Sequence, residues 1–383
     1  MTVDLWLIFI SLFLWSLGCG LYFFSWPLFV ESLGATPVVL GYLQAFVSFC
    51  STASYLPGGW LADRAERRWQ LLLGWALVIP APLFFLAARD WRGLLPGLAL
   101  SGLSMFNLPA LGAYLAAKAR PGRLSSAMTI VYSGVSIGMV AGPLLAEPVS
   151  RTWGSPGVFR AAAVLYVLSF VALLPIARDY PRRAEAAPRF FARPDPGLVR
   201  TCLLFAGECM VLSLNTQFVA PFARDVLGHG VGWVNVAGAV TSLGAAVLAP
   251  VLGLFADRVG PRRGLALGMG LFAVAALGFA AFGRWPVVWV ALFLKGSLDG
   301  VRTLMGSVIA HETPAEAHGR AMGLYTLLTG VGFIAGPMLG GWSYSWHPAA
   351  PFLLTFLTGA LFCAHLFRTA RAPGRQPAPA GTT

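Results

Sequence analysis

The chain has 383 residues, of which 57% are hydrophobic and 11% are charged, and its formal net charge is +12. Soluble domains carry about 25% charged residues, so this composition excludes a typical soluble protein and indicates a chain solvated mainly by lipid. The positive charge lies in short arginine runs between long apolar segments, which is typical of membrane topology signals and excludes nucleic acid as a partner.

In chain order, the apolar segments predict twelve transmembrane helices, because about 20 helical residues cross the hydrocarbon layer. The first half contains the segments 5–30, 37–60, 70–88, 93–117, 126–147 and 158–177. The second half contains the segments 199–222, 231–256, 264–283, 286–310, 320–344 and 350–367. We therefore expect an all-α membrane protein with an N-terminal six-helix bundle at 1–177 and a C-terminal six-helix bundle at 199–367.

The connections between the predicted helices indicate an orientation in the membrane. Nineteen arginines and lysines fall in the connections on one side, and six fall on the other. Because positive residues are retained in the cytoplasm, we expect both termini there, in a prokaryotic plasma membrane. Residues 178–198 are expected to form a basic cytoplasmic linker, and residues 368–383, rich in proline and alanine, a disordered cytoplasmic tail.

Two motifs recur at a constant spacing of 194 residues, which indicates a duplicated half. The repeated residues are Gly59, Asp63 and Arg64 with Gly253, Asp257 and Arg258, and Gly138, Gly142 and Pro143 with Gly332, Gly336 and Pro337. In a strongly apolar chain, a duplicated half is typical of a transporter that moves two bundles about a shared site, so the two bundles are expected to be pseudo-symmetric.

The loops after the second and eighth predicted helices resemble the Gly-x-x-x-Asp-Arg-x-Gly-Arg-Arg loop of the major facilitator superfamily. The matching residues are Gly59, Asp63, Arg64, Arg67 and Arg68 in the first copy, and Gly253, Asp257, Arg258, Gly260, Arg262 and Arg263 in the second. The first copy has Glu66 where the family usually has glycine. The resemblance spans the chain, points to the drug and metabolite exporter branch, and implies the two-bundle major facilitator fold with alternating access.

By analogy with the family, these loops are expected to form a cytoplasmic gate. Asp63 would face the start of the eleventh helix near Arg320, and Asp257 the start of the fifth, where a carboxylate is stabilised by the helix dipole. The alternative is that each loop is a basic turn that only fixes topology.

The repeated glycine–proline run in the fifth helix resembles the antiporter motif of the family, which favours export. Glycines four residues apart also let two helices approach closely, and plain helix packing at the seam between the halves is an equal alternative.

Four ionisable residues lie deep in predicted helices that line the central cavity of the family. Lys295, Asp299 and Arg302 share one face of the tenth helix, and Glu208 lies in the seventh at a depth similar to that of Arg302. A charge at mid-bilayer costs about 2.5–3.5 kcal/mol, so we expect these groups to face water or one another, with Glu208 beside Arg302. They would form either a proton-coupling site or a neutral structural network.

Polar and aromatic residues in other cavity-lining helices are further candidates. Trp15 and Tyr22 lie at helical spacing in the first helix, Asn107 in the fourth and Asn215 in the seventh. They are typical of a pocket for an amphipathic or aromatic ligand. An interfacial aromatic belt and helix–helix contacts are the alternatives.

The sequence predicts no catalytic site, metal or cofactor. It has no Gly-x-x-x-x-Gly-Lys-Ser/Thr loop, and its five cysteines lie inside apolar segments. The first hypothesis is a monomeric, lipid-embedded transporter that exports a small amphipathic or drug-like compound, with protons as the coupling ion. The alternative is uptake or uniport of a polar or anionic metabolite, such as a sugar, organic acid or amino acid, bound by Lys295 and Arg302.

Overall fold

The computed structural model describes residues 2–119, 124–180, 195–281, 286–313 and 318–369, and this part of the chain contains helices and no strand. Within these described ranges, ten helices are long and apolar enough to cross a membrane. One of them has 48 residues and breaks at Gly154, where φ is 71°, so it makes two spans. Val287–Lys295 and Ser297–Glu312 follow each other around Gly296 and make one more. The all-helical, twelve-span architecture agrees with the prediction.

We number the membrane-length segments in chain order. Those of the first half are α1 (Val3–Phe23), α2 (Pro37–Ala62), α3 (Arg67–Ala87), α4 (Trp91–Lys118), α5 (124–153) and α6 (155–173). Those of the second half are α7 (Pro196–Asp225), α8 (Val231–Val259), α9 (Pro261–Ala281), α10 (287–312), α11 (His318–Trp346) and α12 (Ala350–Thr369). The predicted first helix is divided, since a short helix, Trp26–Ser32, follows α1. Most of the predicted linker at 178–198 and tail at 368–383 lies outside the described residues.

Proline residues explain two 3₁₀ turns inside the long helical segments. The α4 segment passes through a 3₁₀ turn at Ser104–Asn107 just before Pro109, and α7 passes through another at Thr216–Phe218 before Pro221. A proline has no backbone N–H and its ring crowds the preceding turn, so the regular hydrogen-bond ladder is interrupted there. Both interruptions lie well inside the membrane-length segments.

The two repeated glycine–proline runs pack inside their own halves, not at the seam between the halves. A Cβ atom on Gly142 of α5 would lie 2.7 Å from the Cα atom of Gly20 in α1. A Cβ atom on Gly336 of α11 would collide with the carbonyl oxygen of Met210 in α7. The glycines therefore bring the backbones of α5 and α1, and of α11 and α7, into direct contact, and the duplication preserves this pairing.

The seam between the halves is formed by α2 with α11 and by α5 with α8. At one edge, Gly341 of α11 lies against Val38 of α2, and at the other, Glu147 of α5 lies against Gly232 of α8. The two pairs are separated by the same 194 residues as the sequence motifs. The seam therefore follows the internal repeat.

The apolar cores show that the two ends of the molecule differ. We call the end that carries Val3 and Thr369 the terminal end, and the opposite one the far end. One buried cluster at the far end draws on both halves, with Trp26 and Phe85 from the first and Phe222 and Phe279 from the second. Two other clusters extend towards the terminal end, and each belongs to one half, within residues 5–176 and 202–366. The halves are thus packed together at the far end.

Candidate functional site

The exposed charges of α10 face the space between the halves. Asp299 and Arg302 are both exposed. The guanidinium carbon of Arg302 lies 4.5 Å from the centre of the Phe333 ring in α11, and its charge acts on Tyr55 of α2 in the other half. A cation above an aromatic ring is attracted by the ring quadrupole. This surface therefore combines an acid, a base and aromatic rings.

Lys295 is directed into the interior of the second half. Its ammonium group donates a hydrogen bond to the side-chain oxygen of Asn215 in α7 and lies 4.7 Å from the centre of the Phe272 ring in α9. The helix is interrupted at Gly296, where a Cβ atom would collide with the backbone of α8. The expected common face is therefore divided, with Lys295 in the bundle interior and Asp299 and Arg302 on the exposed side of α10.

Glu208 is buried in the second half without a polar partner. Its side chain is 1% exposed, and neither carboxylate oxygen has a hydrogen-bond partner among the described residues. It lies one turn from Phe205 and one turn from Leu212, which both belong to the buried cluster of this half. Asn215, two turns away on the same face, is the residue that binds Lys295. This face of α7 is thus directed towards the bundle interior.

The expected pairing of Glu208 with Arg302 is not formed. Within the described residues, no ion pair joins any two of the four deep charges. The two residues do lie at similar depths, roughly 15–18 Å from the terminal end of their helices at 1.5 Å per residue. They differ in direction, because Glu208 packs into the core while Arg302 is exposed beside Phe333 of α11. Helical spacing predicted the depth, and packing determines the direction.

The remaining cavity candidates pack within the first half. Asn107 is 4% exposed and lies against Gly74 of α3. The Tyr22 hydroxyl shares a hydrogen bond of 2.8 Å with the Tyr166 hydroxyl of α6. Trp15 packs against the apolar cluster that joins the halves at the far end. In this conformation these residues contact other helices of the bundle and do not line an open pocket.

The two acids of the gate motif are exposed at the terminal end. Neither Asp63 nor Asp257 forms an ion pair with a described residue, and Arg64 and Arg258 beside them are exposed as well. The side chain of Arg320 lies outside the described part of the chain. The contact expected between Asp63 and the start of α11 near Arg320 therefore lies outside the described residues.

The other basic residues of the motif bind within their own halves. Arg68 donates a hydrogen bond of 2.7 Å to the carbonyl oxygen of Leu174, at the end of α6. Arg262 and Glu312 form an ion pair of 2.6 Å that connects the start of α9 to the end of α10. Glycines 59 and 253 have open space where a Cβ atom would be. These loops therefore tie neighbouring helices together within each bundle.

Several contacts between the halves were not predicted from the sequence. Gln44 of α2 accepts a hydrogen bond of 3.0 Å from Gln217 of α7, and Trp342 of α11 donates one of 3.3 Å to Tyr42. An ion pair at the far end also joins the halves and is described below. Single polar residues in apolar segments give no signal of their partners. Only the internal repeat relates positions in one half to positions in the other.

Residues 8–239 and 201–382 match the family model of the Major Facilitator Superfamily. The multidrug resistance protein MdtG of Klebsiella pneumoniae (strain 342) is 27% identical over 379 residues, which cover 92% of this chain and 90% of that protein. MdtG of Proteus mirabilis (strain HI4320) is 26% identical over 362 residues, which cover 88% of each protein. Similarity to these proteins thus extends over both bundles.

Solved structures share the fold at lower sequence identity. The nucleoside transporter NupG matches with a TM-score of 0.78 and 13% identity, over 95% of this chain and 98% of that one. The human organic anion transporter MFSD10 matches with a TM-score of 0.68 and 18% identity, over 96% of this chain and 99% of that one. At these identities the likeness concerns the fold alone.

Proposed function

Because the chain belongs to the major facilitator superfamily, we propose that it exports an amphipathic, drug-like compound across the membrane in exchange for protons. The multidrug resistance proteins that match about nine-tenths of the chain support export of such compounds. The transport unit in this proposal is the monomer, since one chain supplies both six-helix halves. Alternating movement of the halves about the seam then exposes the cavity to one side of the membrane at a time.

The buried, unpartnered carboxyl group of Glu208 is the observation that carries the proton-coupled mechanism. A charged group at mid-bilayer costs about 2.5–3.5 kcal/mol, and this one lacks a hydrogen-bond partner among the described residues. The proton-bound, neutral carboxyl group avoids this cost. If a change of conformation exposes Glu208 to water, the proton can leave, and the site can alternate between two charge states.

The proposed substrate surface is the cavity face of α10 with its neighbours from α2 and α11. Arg302 and Asp299 supply opposite charges, and Phe333 and Tyr55 supply aromatic surface. Pockets with few polar groups and much aromatic surface suit ligands that are part apolar and part polar. This composition supports an amphipathic substrate.

If the termini are cytoplasmic, as the arginine bias predicts, this conformation is the one in which an exporter would bind its substrate. The halves are packed together at the far end, so the terminal end is the side from which this conformation would take up its substrate. Asp63 and Asp257 would then form their gate contacts when the molecule opens to the far side. This explains why both acids are exposed here.

Uptake or uniport of an anionic metabolite is the second candidate, since Arg302 is an unpaired cation within the described residues. In that mechanism Lys295 and Arg302 were expected to bind one ligand together. Lys295 instead contacts Asn215 and Phe272 inside the bundle, which leaves Arg302 to bind an anion alone. The first proposal therefore has more support.

The test is transport into proteoliposomes that contain the purified protein with its terminal end facing outwards. With an imposed gradient that is acidic inside, the proposal expects accumulation of a fluorescent lipophilic dye, and collapse of the gradient by a protonophore should release it. Vesicles without the protein are the control. Dye movement that is equal with and without the gradient would contradict proton coupling, and no protein-dependent movement of any amphipathic probe would contradict export.

A further inference from the structure

A cluster of charged residues joins the two halves at the far end. Arg224, at the end of α7, forms an ion pair of 2.7 Å with Glu31, in the short helix after α1. The same guanidinium group contacts Asp225 at 2.6 Å. Asp225 also accepts a hydrogen bond of 3.2 Å from the hydroxyl group of Tyr344 in α11. One arginine thus lies between an acid of the first half and an acid of the second.

The two acids occupy equivalent positions of the internal repeat. Glu31 and Asp225 are 194 residues apart, the spacing that relates the other repeated motifs. The position equivalent to Arg224 in the first half is Val30, which is apolar. Closing the far end therefore brings together two acids related by the repeat, with Arg224 between them.

The charged groups of this cluster differ in their exposure to water and lie beside an apolar contact between the halves. The side chain of Glu31 is 10% exposed, whereas that of Arg224 is 44% exposed. Next to it, Leu28 packs against Ala223 and its neighbours across the interface, and a cavity of about 400 Å³ borders the charged groups. Asp225 is 38% exposed, so Glu31 is the charge that is most shielded from water, and a shielded charge interacts more strongly with its neighbours than one at an open surface. Without a cation, Glu31 and Asp225 would repel each other there.

We propose that Arg224 is the residue that holds the far end closed, by bridging Glu31 and Asp225, and that this bridge separates each time the molecule opens to the far side. The proposal rests on the transport function proposed above. It assigns a positioning role to three residues that lie away from the cavity face of α10. The Gln44–Gln217 hydrogen bond, in contrast, joins two neutral groups and adds no charge requirement to closure.

The test uses the full-length protein in proteoliposomes and a cysteine reporter, Ala223→Cys, at a position that is fully buried in the closed far end. A membrane-impermeant maleimide is added on the far side at constant pH. The same protein without the reporter measures labelling of the native cysteines. In the reporter background, Arg224→Gln should increase the labelling rate by about tenfold, because two acids then face each other without their cation.

Two further variants distinguish loss of the charge bridge from a general loss of protein stability. Adding Glu31→Gln to Arg224→Gln should return the rate close to that of the parent, since one of the two facing charges is removed. Arg89→Gln is the control, because Arg89 is exposed at the far end, forms no ion pair with a described residue and should leave the rate unchanged. The proposal is overturned if Arg224→Gln labels at the parental rate, if the double variant is no slower than Arg224→Gln, or if Arg89→Gln is as fast as Arg224→Gln.

The reporter measures conformation without any substrate. If Arg224 does not hold the far end closed, Arg224→Gln will leave the labelling rate unchanged even if dye export is confirmed. A failed export proposal would appear as absent dye transport, whatever the labelling shows.

Discussion

Glu208 combines depth, burial and the lack of a described polar partner, and few roles in a membrane protein suit such a carboxyl group. We expect Glu208→Gln to lower dye accumulation driven by a pH gradient by about tenfold or more, because glutamine is neutral and cannot release a proton. Exchange of dye across vesicles without a gradient should also be slow, since the variant imitates the proton-bound state and exchange with protons carries the substrate on the deprotonated one. The measurement is transport with and without the gradient in the same vesicles.

The control for this prediction is Asp90→Asn. Asp90 is also an acid, but it is exposed at the far end and its side chain accepts a hydrogen bond from the backbone N–H of Gly93, which asparagine can also do. Its substitution should leave gradient-driven accumulation nearly unchanged. Full gradient-driven accumulation by Glu208→Gln would show that protons are coupled elsewhere or not at all.

For single residues, the sequence predicted how deep each charged side chain lies in the membrane, but not the direction in which it points. The depths of Glu208, Lys295 and Arg302 follow from helical rise, which is the same in every helix. Their directions depend on which helices surround them and on the break at Gly296, where α8 approaches α10 closely. Packing of this kind has no signature in a single sequence. For that reason the expected Glu208–Arg302 pair is absent from the structure.

At the scale of helices, the repeated glycines act through close backbone contact. Alanine normally stabilises a helix by about 1 kcal/mol relative to glycine, and overpacking a buried contact costs about 1–3 kcal/mol. A Cβ atom at Gly336 would collide with the backbone of α7, whereas one at Gly253 meets open space. We therefore expect Gly336→Ala to lower the thermal unfolding temperature in detergent by several degrees, and Gly253→Ala to leave it equal or slightly higher.

Equal unfolding temperatures for the two alanine variants would contradict close packing between α11 and α7. The comparison is informative because both glycines lie inside helices and both belong to repeated motifs. The sequence predicted the positions of these motifs and their duplication. It did not show that the glycine face meets α7 instead of the other half, because both arrangements bury a helix face.

For the gate motif we expect an effect on transport and not on stability, since Asp63 is exposed in this conformation and lacks an ion pair with a described residue. Asp63→Asn should leave the unfolding temperature of this state unchanged and slow transport, because asparagine loses the charge that a helix N-terminus stabilises in the opposite conformation. Asp90→Asn, another exposed acid but at the far end, is the control. A transport rate equal to that of the parent would contradict a gate role for Asp63.

At the scale of the whole molecule, the duplicated sequence predicted the two bundles, and the conformation could not be predicted. Both the open and the closed far end bury the same hydrophobic helix faces within each bundle. They differ in contacts between the bundles, such as the aromatic cluster at the far end and the Glu31–Arg224 ion pair. The free energies of these few contacts decide which side of the cavity is open.

Acidity on the far side should shift this balance through Glu31. Burial raises the pKa of Glu31 above its ordinary value of 4.5, although Arg224 acts in the opposite direction. Among the described residues, Asp225 and Arg224 are the other charged groups beside it, and Tyr344 contacts Asp225. Opening the far end would expose Glu31 to water and remove the effect of burial on its pKa, so we expect the closed far end to bind the proton more tightly than the open one does. Acid therefore favours closure, and the effect develops as the pH falls through the raised pKa.

The measurement is a distance distribution between spin labels at Ser32→Cys and Val226→Cys, two exposed positions on either side of the far-end seam, in a cysteine-free background. The short-distance population should grow as the pH falls from about 7.5 towards about 4.5, and Glu31→Gln should weaken this dependence, with the remainder due to other groups such as Glu208. A short-distance population that shrinks in acid would reverse the sign argued here. The expected direction suits exchange with protons, because an acidic exterior would return the molecule to the state that takes up substrate from the terminal end.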